Sequence, residues 1–219
     1  MKIKQTVILI GPPGSGKGYY SHWLTTTHNF QRLASGDVLR KYSNETSTLG
    51  EQISICLKDG ILVSDELMTE IFFREIRTLA NSVVLDGYPR TLGQEKMYHR
   101  FRKQQKWTDK TIVISLVCSK KISEERVTNR AICNVCGASY HPKFSPSQRP
   151  GECDFDKTQL LIRNDAIKNS ERWDEFEIKT APLIELFKNN SNHYVFQEIN
   201  TEKTISITKQ LLIKALGFK

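Results

Sequence analysis

The sequence predicts an α/β fold, a parallel five-stranded sheet flanked by helices, and three observations carry that prediction. Five short apolar runs, led by Thr6–Ile10, have strand length and are separated by stretches with helical spacing. The first run breaks directly into Gly11-Pro12-Pro13-Gly14-Ser15-Gly16-Lys17-Gly18, the passage from strand to glycines to lysine that builds a phosphate-binding loop. A later run, Val83-Val84-Leu85, ends in Asp86, as a strand does when it delivers a carboxylate to a metal beside phosphates.

The elements follow in order. Thr6–Ile10 is a central strand, buried on both faces. In the loop behind it, backbone N–H groups form an anion nest, the following helix adds its positive end, and Lys17 supplies a point charge. The serine or threonine that usually follows such a lysine is replaced by Gly18. Tyr19–Thr27 reads as the crossover helix and Phe30–Ala34 as a second strand. That strand delivers Ser35-Gly36-Asp37-Val38-Leu39-Arg40, with Arg40 one turn into a helix capped near Ser35 or Asp37. There a guanidinium either grips a phosphate or covers a solvated helix face.

Leu49, Ile53, Cys56 and Leu57 mark a helix that Gly60 stops. Ser64 reads as the cap of an amphipathic helix through Leu67, Ile71, Ile76 and Leu79. After Asp86, Gly87 allows close backbone approach and Arg90 offers a second fork for phosphate. Gln94–Lys106 carries His99, Arg100, Arg102, Lys103 and Lys106, a solvated basic face or, as a minority reading, a nucleic-acid patch. Lys110–Val117 holds a fourth strand. Ile122–Arg130 reads as a helix with Arg126 and Arg130 four residues apart, hence on one face. Trp173, Phe176, Leu183, Ile184 and Phe187 read as core, Tyr194–Ile199 as the last strand and Glu202–Leu216 as a closing helix.

Cys133–Asp156 has the spacing C-x2-C-x16-C-x2-D. Each pair sits two residues apart, so one tight turn aims both ligands at one ion, and four ligands complete a tetrahedral structural zinc site. Cys133, Cys136, Cys153 and Asp156 are the predicted ligands. His141 in place of Asp156, or disulfide pairing, are the rival readings. This segment is rich in proline, glycine and polar residues, so a metal staple would replace the core it cannot bury.

Composition sets the class. The chain has 219 residues, enough for one domain with an insertion. Charged residues at 26% and hydrophobic residues at 38% describe an ordinary soluble globule. A net charge of +8 suits an anionic ligand or nucleic acid without choosing between them. No run is long enough to span a bilayer, none reads as a signal peptide, and five cysteines with two isolated in apolar segments suit a reducing, cytoplasmic setting. No internal repeat, low-complexity tract or long flexible linker is present.

The phosphate loop, Ser35-Gly36-Asp37, Asp86-Gly87-Tyr88-Pro89-Arg90-Thr91, the cysteine knuckles and the pair Arg163 and Arg172 occur in the order found in the adenylate kinase family, which the chain resembles over nearly its whole length. The resemblance implies a P-loop kinase fold: a core of residues 1–34, 64–129 and 168–219, a nucleoside monophosphate-binding subdomain at 35–63, and a zinc-bearing lid at 130–167. It implies Mg2+-dependent, reversible transfer, ATP + AMP to 2 ADP, by a cytoplasmic monomer that meets neither nucleic acid nor membrane.

By the same resemblance, Gly14, Ser15, Gly16, Lys17, Gly18 and Tyr19 hold ATP, together with Arg126, Arg130, Ser139, Tyr140 and Lys203. Ser35, Arg40, Ile61, Leu62, Val63 and Gly87 hold AMP, with Tyr88, Pro89, Arg90, Gln94, Arg163 and Arg172. For Leu62, core packing weighs equally, and Gln94 would bond the acceptor base. Lys17, Arg90, Arg130, Arg163, Arg172 and Asp165 carry the transfer, and Asp86 holds magnesium through water. The two mobile parts, 35–63 and 130–167, would close over acceptor and donor. Three departures stand out: Tyr19 where the family usually has threonine, Ala166 where a second aspartate is usual, and two residues missing between Arg163 and Arg172. The alternatives are another small P-loop kinase acting on UMP, CMP or a non-nucleotide alcohol, and a zinc-ribbon nucleic-acid-binding protein on a degenerate kinase fold.

Overall fold

The computed structural model describes residues 5–59, 63–107, 109–163 and 169–218. Its first half runs β1 (Thr6–Ile10), α1 (Lys17–His28), β2 (Gln31–Ala34), α2 (Ser35–Ser43), α3 (Thr48–Asp59), α4 (Asp65–Ile76), β3 (Val83–Asp86) and α5 (Leu92–Gln104). The second half runs β4 (Thr111–Val117), α6 (Lys120–Val127), β5 (Ala131–Ile132), β6 (Ser139–Tyr140), β7 (Leu161–Ile162), α7 (Asn169–Glu175), a π-helical turn (Phe176–Thr180), α8 (Ala181–Asn189), β8 (Tyr194–Asn200) and α9 (Ile205–Leu216). The large sheet has the order β2-β3-β1-β4-β8, and every pair in it is parallel. The expected five-stranded parallel sheet is therefore present.

β1 lies at the centre, and its alternation builds two cores. Val7 and Leu9 face α1 and α9, packing with Tyr20, Leu24, Leu212 and Leu216. Ile8 and Ile10 face the opposite layer, packing with Tyr42, Ile53, Phe72, Tyr98 and Phe187 from α2, α3, α4, α5 and α8. A strand covered on both sides must be apolar throughout, which is why Thr6–Ile10 lacks a polar face. Helix starts follow the side-chain capping rule at Ser64, Thr91, Ser119 and Thr204, whose hydroxyls accept from the N–H three residues on. Each such cap stabilises by about 1 kcal/mol.

Register brings the chemistry to one edge. Leu9 pairs with Asp86, and Asp86 with Ala34. The ends of β1, β2 and β3 are thus level, so the loop after Ile10, the start of α2 and the Asp86 carboxylate meet outside the carboxyl ends of the strands. A small antiparallel sheet, β6-β5-β7, occupies the segment between α6 and α7. It leans on the core: the Phe155 ring meets the edge of His22 at 4.8 Å.

Three expectations are corrected. Arg126 and Arg130 do not share a helix face. The helix ends at Val127, Thr128 is extended, and Asn129 turns left-handed at φ 59°, so Arg130 leaves the helical course just before β5. Arg102 does not belong to the solvated basic face. It is buried and donates to the carbonyls of Asp109 and His193. Neither Ser35 nor Asp37 caps α2: the N-cap is Ala34, without a side-chain cap bond, and Asp37 is engaged by arginines.

Candidate active site

The loop after β1 is shaped by close approach. Gly11 has φ +151°, and a Cβ there would stand 2.2 Å from the Leu116 carbonyl oxygen, so only glycine fits beside β4. Ser123 Oγ donates to the Pro13 carbonyl at 2.8 Å and pins the loop to α6. Lys17 opens α1 and folds back over the loop, with Nζ donating to the carbonyls of Gly11 at 2.7 Å and Pro12 at 2.8 Å. Lys17 is half-buried in the wall of a cleft of about 830 Å³. Enclosure pushes the Lys17 ammonium down to about 7; the positive charges of Arg90 and Arg172 push the same way, while Asp86 pulls back. Phosphate placed here would restore the proton.

Lys17, Arg90 and Arg172 line the same cleft. Arg90 is held by Nε donating to the Gly87 carbonyl at 2.9 Å and Nη2 donating to Ser35 Oγ at 3.1 Å. Arg126 braces the far wall, donating to Thr201 Oγ1 at 3.0 Å and to the Gly14 carbonyl at 3.3 Å. Arg130 precedes β5 and Arg163 follows β7, and the two are joined where Arg163 N–H donates to the Arg130 carbonyl at 2.8 Å. Arg40, Arg130, Arg163 and Arg172 all line the cleft, as does Asp86. Two anionic groups side by side would find their countercharge here.

The adenylate kinase family model matches residues 9–192. The chain is 31% identical to an adenylate kinase of Clostridium perfringens strain SM101, over 96% of this chain and 98% of that protein. An adenylate kinase of Clostridium tetani is 34% identical, over 84% of this chain and 87% of its own length. One from the archaeon Thermococcus sibiricus is 31% identical, over 89% and 86%. The chain belongs to the adenylate kinase family.

Within that family frame, the predicted residues fall into three groups. Gly14, Gly16, Lys17, Gly18, Tyr19, Arg126, Ser139 and Tyr140 line the cleft, as does Ser35. Ser15 is fully buried beneath it, its Oγ 3.4 Å from Lys17 Nζ. A second group stands behind the wall. Tyr88 is buried against Phe72, its hydroxyl 3.1 Å from Thr69 Oγ1, and Pro89 follows it across a cis bond. Gln94 is buried, with Oε1 accepting from Arg90 N–H at 2.8 Å and Nε2 donating to Asp65 Oδ1 at 2.9 Å. Val63 packs on the main core, and Lys203 is exposed in the turn before α9. Ile61, Leu62, Asp165 and the departure at Ala166 lie outside the described residues.

The metal cluster has the composition of a cation site. Ligand atoms of Cys133, Cys136, Cys153 and Asp156 all lie within 4.8 Å of one another. Both turns close alike: Gly137 N–H donates to the Cys133 carbonyl and Lys157 N–H to the Cys153 carbonyl, each with φ positive. The backbone N–H of Thr158 holds the Asp156 carboxyl below its usual range, so it stays an anionic donor. Three thiols and one carboxylate suit zinc. His141 is excluded as a fourth ligand in this arrangement. Its Nε2 meets the Glu125 and Thr128 carbonyls at 3.0 and 2.8 Å, and its Nδ1 accepts from Lys143 N–H. The sulfurs of Cys136 and Cys153 are 3.6 Å apart, too far for a disulfide.

Sequence reasoning missed Arg32 and Ser21, and read Asp37 as a cap or motif residue rather than as a partner of arginines. Arg32 donates to Asp86, Asp37 and Ser21. The available signal was a charge inside the second strand.

Proposed function

We propose that the cleft seats two nucleotides end to end and moves the γ-phosphoryl group of ATP onto AMP, reversibly, giving two ADP. The observation that carries this reading is that Lys17, Arg90 and Arg172 line one cleft together with the phosphate loop and the start of α2. Donor and acceptor phosphates repel each other, and the transfer needs positioning and charge more than covalent help. The loop amides and Lys17 grip the donor phosphates. Arg40 and Arg90 face the acceptor phosphate, and Arg130, Arg163 and Arg172 spread charge over the group in transit. No general base is required.

Asp86 is the residue that would hold magnesium, through its water shell. Its carboxylate lines the cleft near Gly18, and oxygen is the donor a hard cation selects. When bound with ATP, the ion neutralises phosphate charge. Residues 35–63 and 130–167 act as two covers that exclude water, with zinc stapling the second. The enzyme works as a cytoplasmic monomer. Among the described residues no helix is long and apolar enough to cross a membrane.

The direct test is ADP formation from ATP and Mg2+ with AMP, CMP, UMP or GMP as acceptor, with Lys17→Ala as control. ADP from AMP alone, lost in the control, is the expected result. Activity favouring a pyrimidine acceptor would assign the chain to a neighbouring specificity.

A further inference from the structure

Four alternating charges cross the floor of the cleft. Asp86, at the end of β3, accepts from Arg32 Nη2 at 3.2 Å. Arg32 Nη1 donates to Asp37 Oδ2, and Asp37 Oδ1 accepts from Arg40. Arg32 is fixed from below as well, since Nε donates to Ser21 Oγ at 2.9 Å and Ser21 Oγ donates to Asp86 Oδ2 at 2.8 Å. Its side chain is only 17% exposed, whereas those of Asp37 and Arg40 are 44% and 55% exposed. The row therefore runs from a rigid post in the sheet to a loosely held arm on α2.

We propose that Arg32 is a positioning residue for the acceptor phosphate. It clamps Asp37 to the sheet, and Asp37 orients Arg40, the arginine that meets AMP in the reading above, on which this inference rests. The physics is a matter of pre-organisation. An exposed Arg–Asp pair within one helix has many rotamers and contributes little. Anchoring its carboxylate to a partly buried guanidinium, itself bonded to Asp86 at the end of β3 and to Ser21 of α1, removes that freedom before AMP arrives. Arginine suits the place because its planar fork reaches three acceptors at once; lysine offers a single point. Gly137 of the segment between α6 and α7 sits close by: a Cβ there would lie 3.2 Å from Arg32 Nη1.

The test uses the full chain with Arg32→Gln, Arg32→Lys, Asp37→Asn, the double variant Arg32→Gln/Asp37→Asn, and Arg40→Ala as reference. Melting temperature is recorded for each, then KM and kcat with AMP and ATP varied separately. The expected result is an AMP KM raised about tenfold in Arg32→Gln and in Asp37→Asn, with ATP KM within about twofold of wild type. The double variant should be no worse than either single variant, because one chain has been cut twice. Arg32→Lys should recover part of the loss. Multiplying effects in the double variant, or equal rises in both KM values, would overturn the proposal. If Arg40→Ala raises the AMP KM and Arg32→Gln does not, the clamp fails while the acceptor assignment stands. If Arg40→Ala also leaves it unchanged, both fail.

Discussion

Lys17 Nζ lies 2.7 Å from the carbonyl oxygen of Gly11, so the lysine folds back over the loop that precedes it. The Gly11 and Pro12 carbonyls both accept from this ammonium. Enclosure, with Arg90 and Arg172 nearby, brings its proton affinity down to about 7 from the ordinary 10.5.

The sign of the resulting pH dependence follows. Between about pH 7 and 10.5 the unfolded chain holds a proton on this lysine that the folded chain does not, so this group's contribution to stability rises with pH through that window. Lys17→Met lacks the contribution. The difference in melting temperature between Lys17→Met and wild type, both without nucleotide, should therefore be most in favour of the variant at or below pH 7 and shift toward wild type by pH 10. Nucleotide binding should take up a proton above pH 7, seen as a buffer-dependent binding enthalpy. A melting difference that is flat with pH would contradict the shift.

Zinc content tests the knuckles. Native mass spectrometry should find one zinc per chain, retained in His141→Ala and lost in Cys133→Ser. Loss of the staple should lower the melting temperature by roughly 10 °C, since each kcal/mol is worth about 2–4 °C in a chain of this size. Asp156→Cys should keep the metal, because a fourth thiolate is an equally good ligand. Zinc lost in His141→Ala and retained in Asp156→Ala would return the fourth position to histidine.

Most of the sheet could be read in the sequence because its strands are covered on both faces: Thr6–Ile10 and Val83–Asp86 carry continuous apolar runs that only a buried parallel strand needs. The phosphate loop and knuckles were legible because their chemistry is local, set by glycines and ligand pairs a few residues apart. What escaped was long-range pairing. Arg102 looked like one more surface cation, and only the fold brings the His193 carbonyl to it. Arg32 contacts Asp86 across 54 positions, a partnership that no periodicity encodes. Arg130 was assigned to a helix because helical spacing continues through it, yet Asn129 at positive φ ends that course.

Tyr19 stands where threonine would offer a hydroxyl beside the donor phosphates. Its ring lies edge-on to Tyr20 at 5.2 Å and under the Lys209 ammonium at 5.4 Å, half-buried in the cleft wall. Tyr19→Thr should cost about 1 kcal/mol of stability from those lost contacts. It should raise kcat with ATP, since a small donor replaces a ring that cannot turn inward without leaving Tyr20. A lower kcat with a raised ATP KM would show that the aromatic face itself serves the donor.

Gln94 separates two roles that sequence alone merged. As a base-binding residue it would be dispensable to the fold. In the structure its amide joins two walls, accepting from Arg90 N–H and donating to Asp65, with only 6% of its surface exposed. Removing a buried partner leaves the other groups unsatisfied, at about 1–3 kcal/mol. Gln94→Leu should therefore lower the melting temperature by about 2–12 °C. It should also raise the AMP KM, because the Arg90 backbone loses its tether and the guanidinium loses its aim at the acceptor phosphate. Calorimetry and acceptor kinetics on the same preparation read both effects. An unchanged melting temperature with a raised AMP KM would mean that the amide releases Asp65 and serves the base alone.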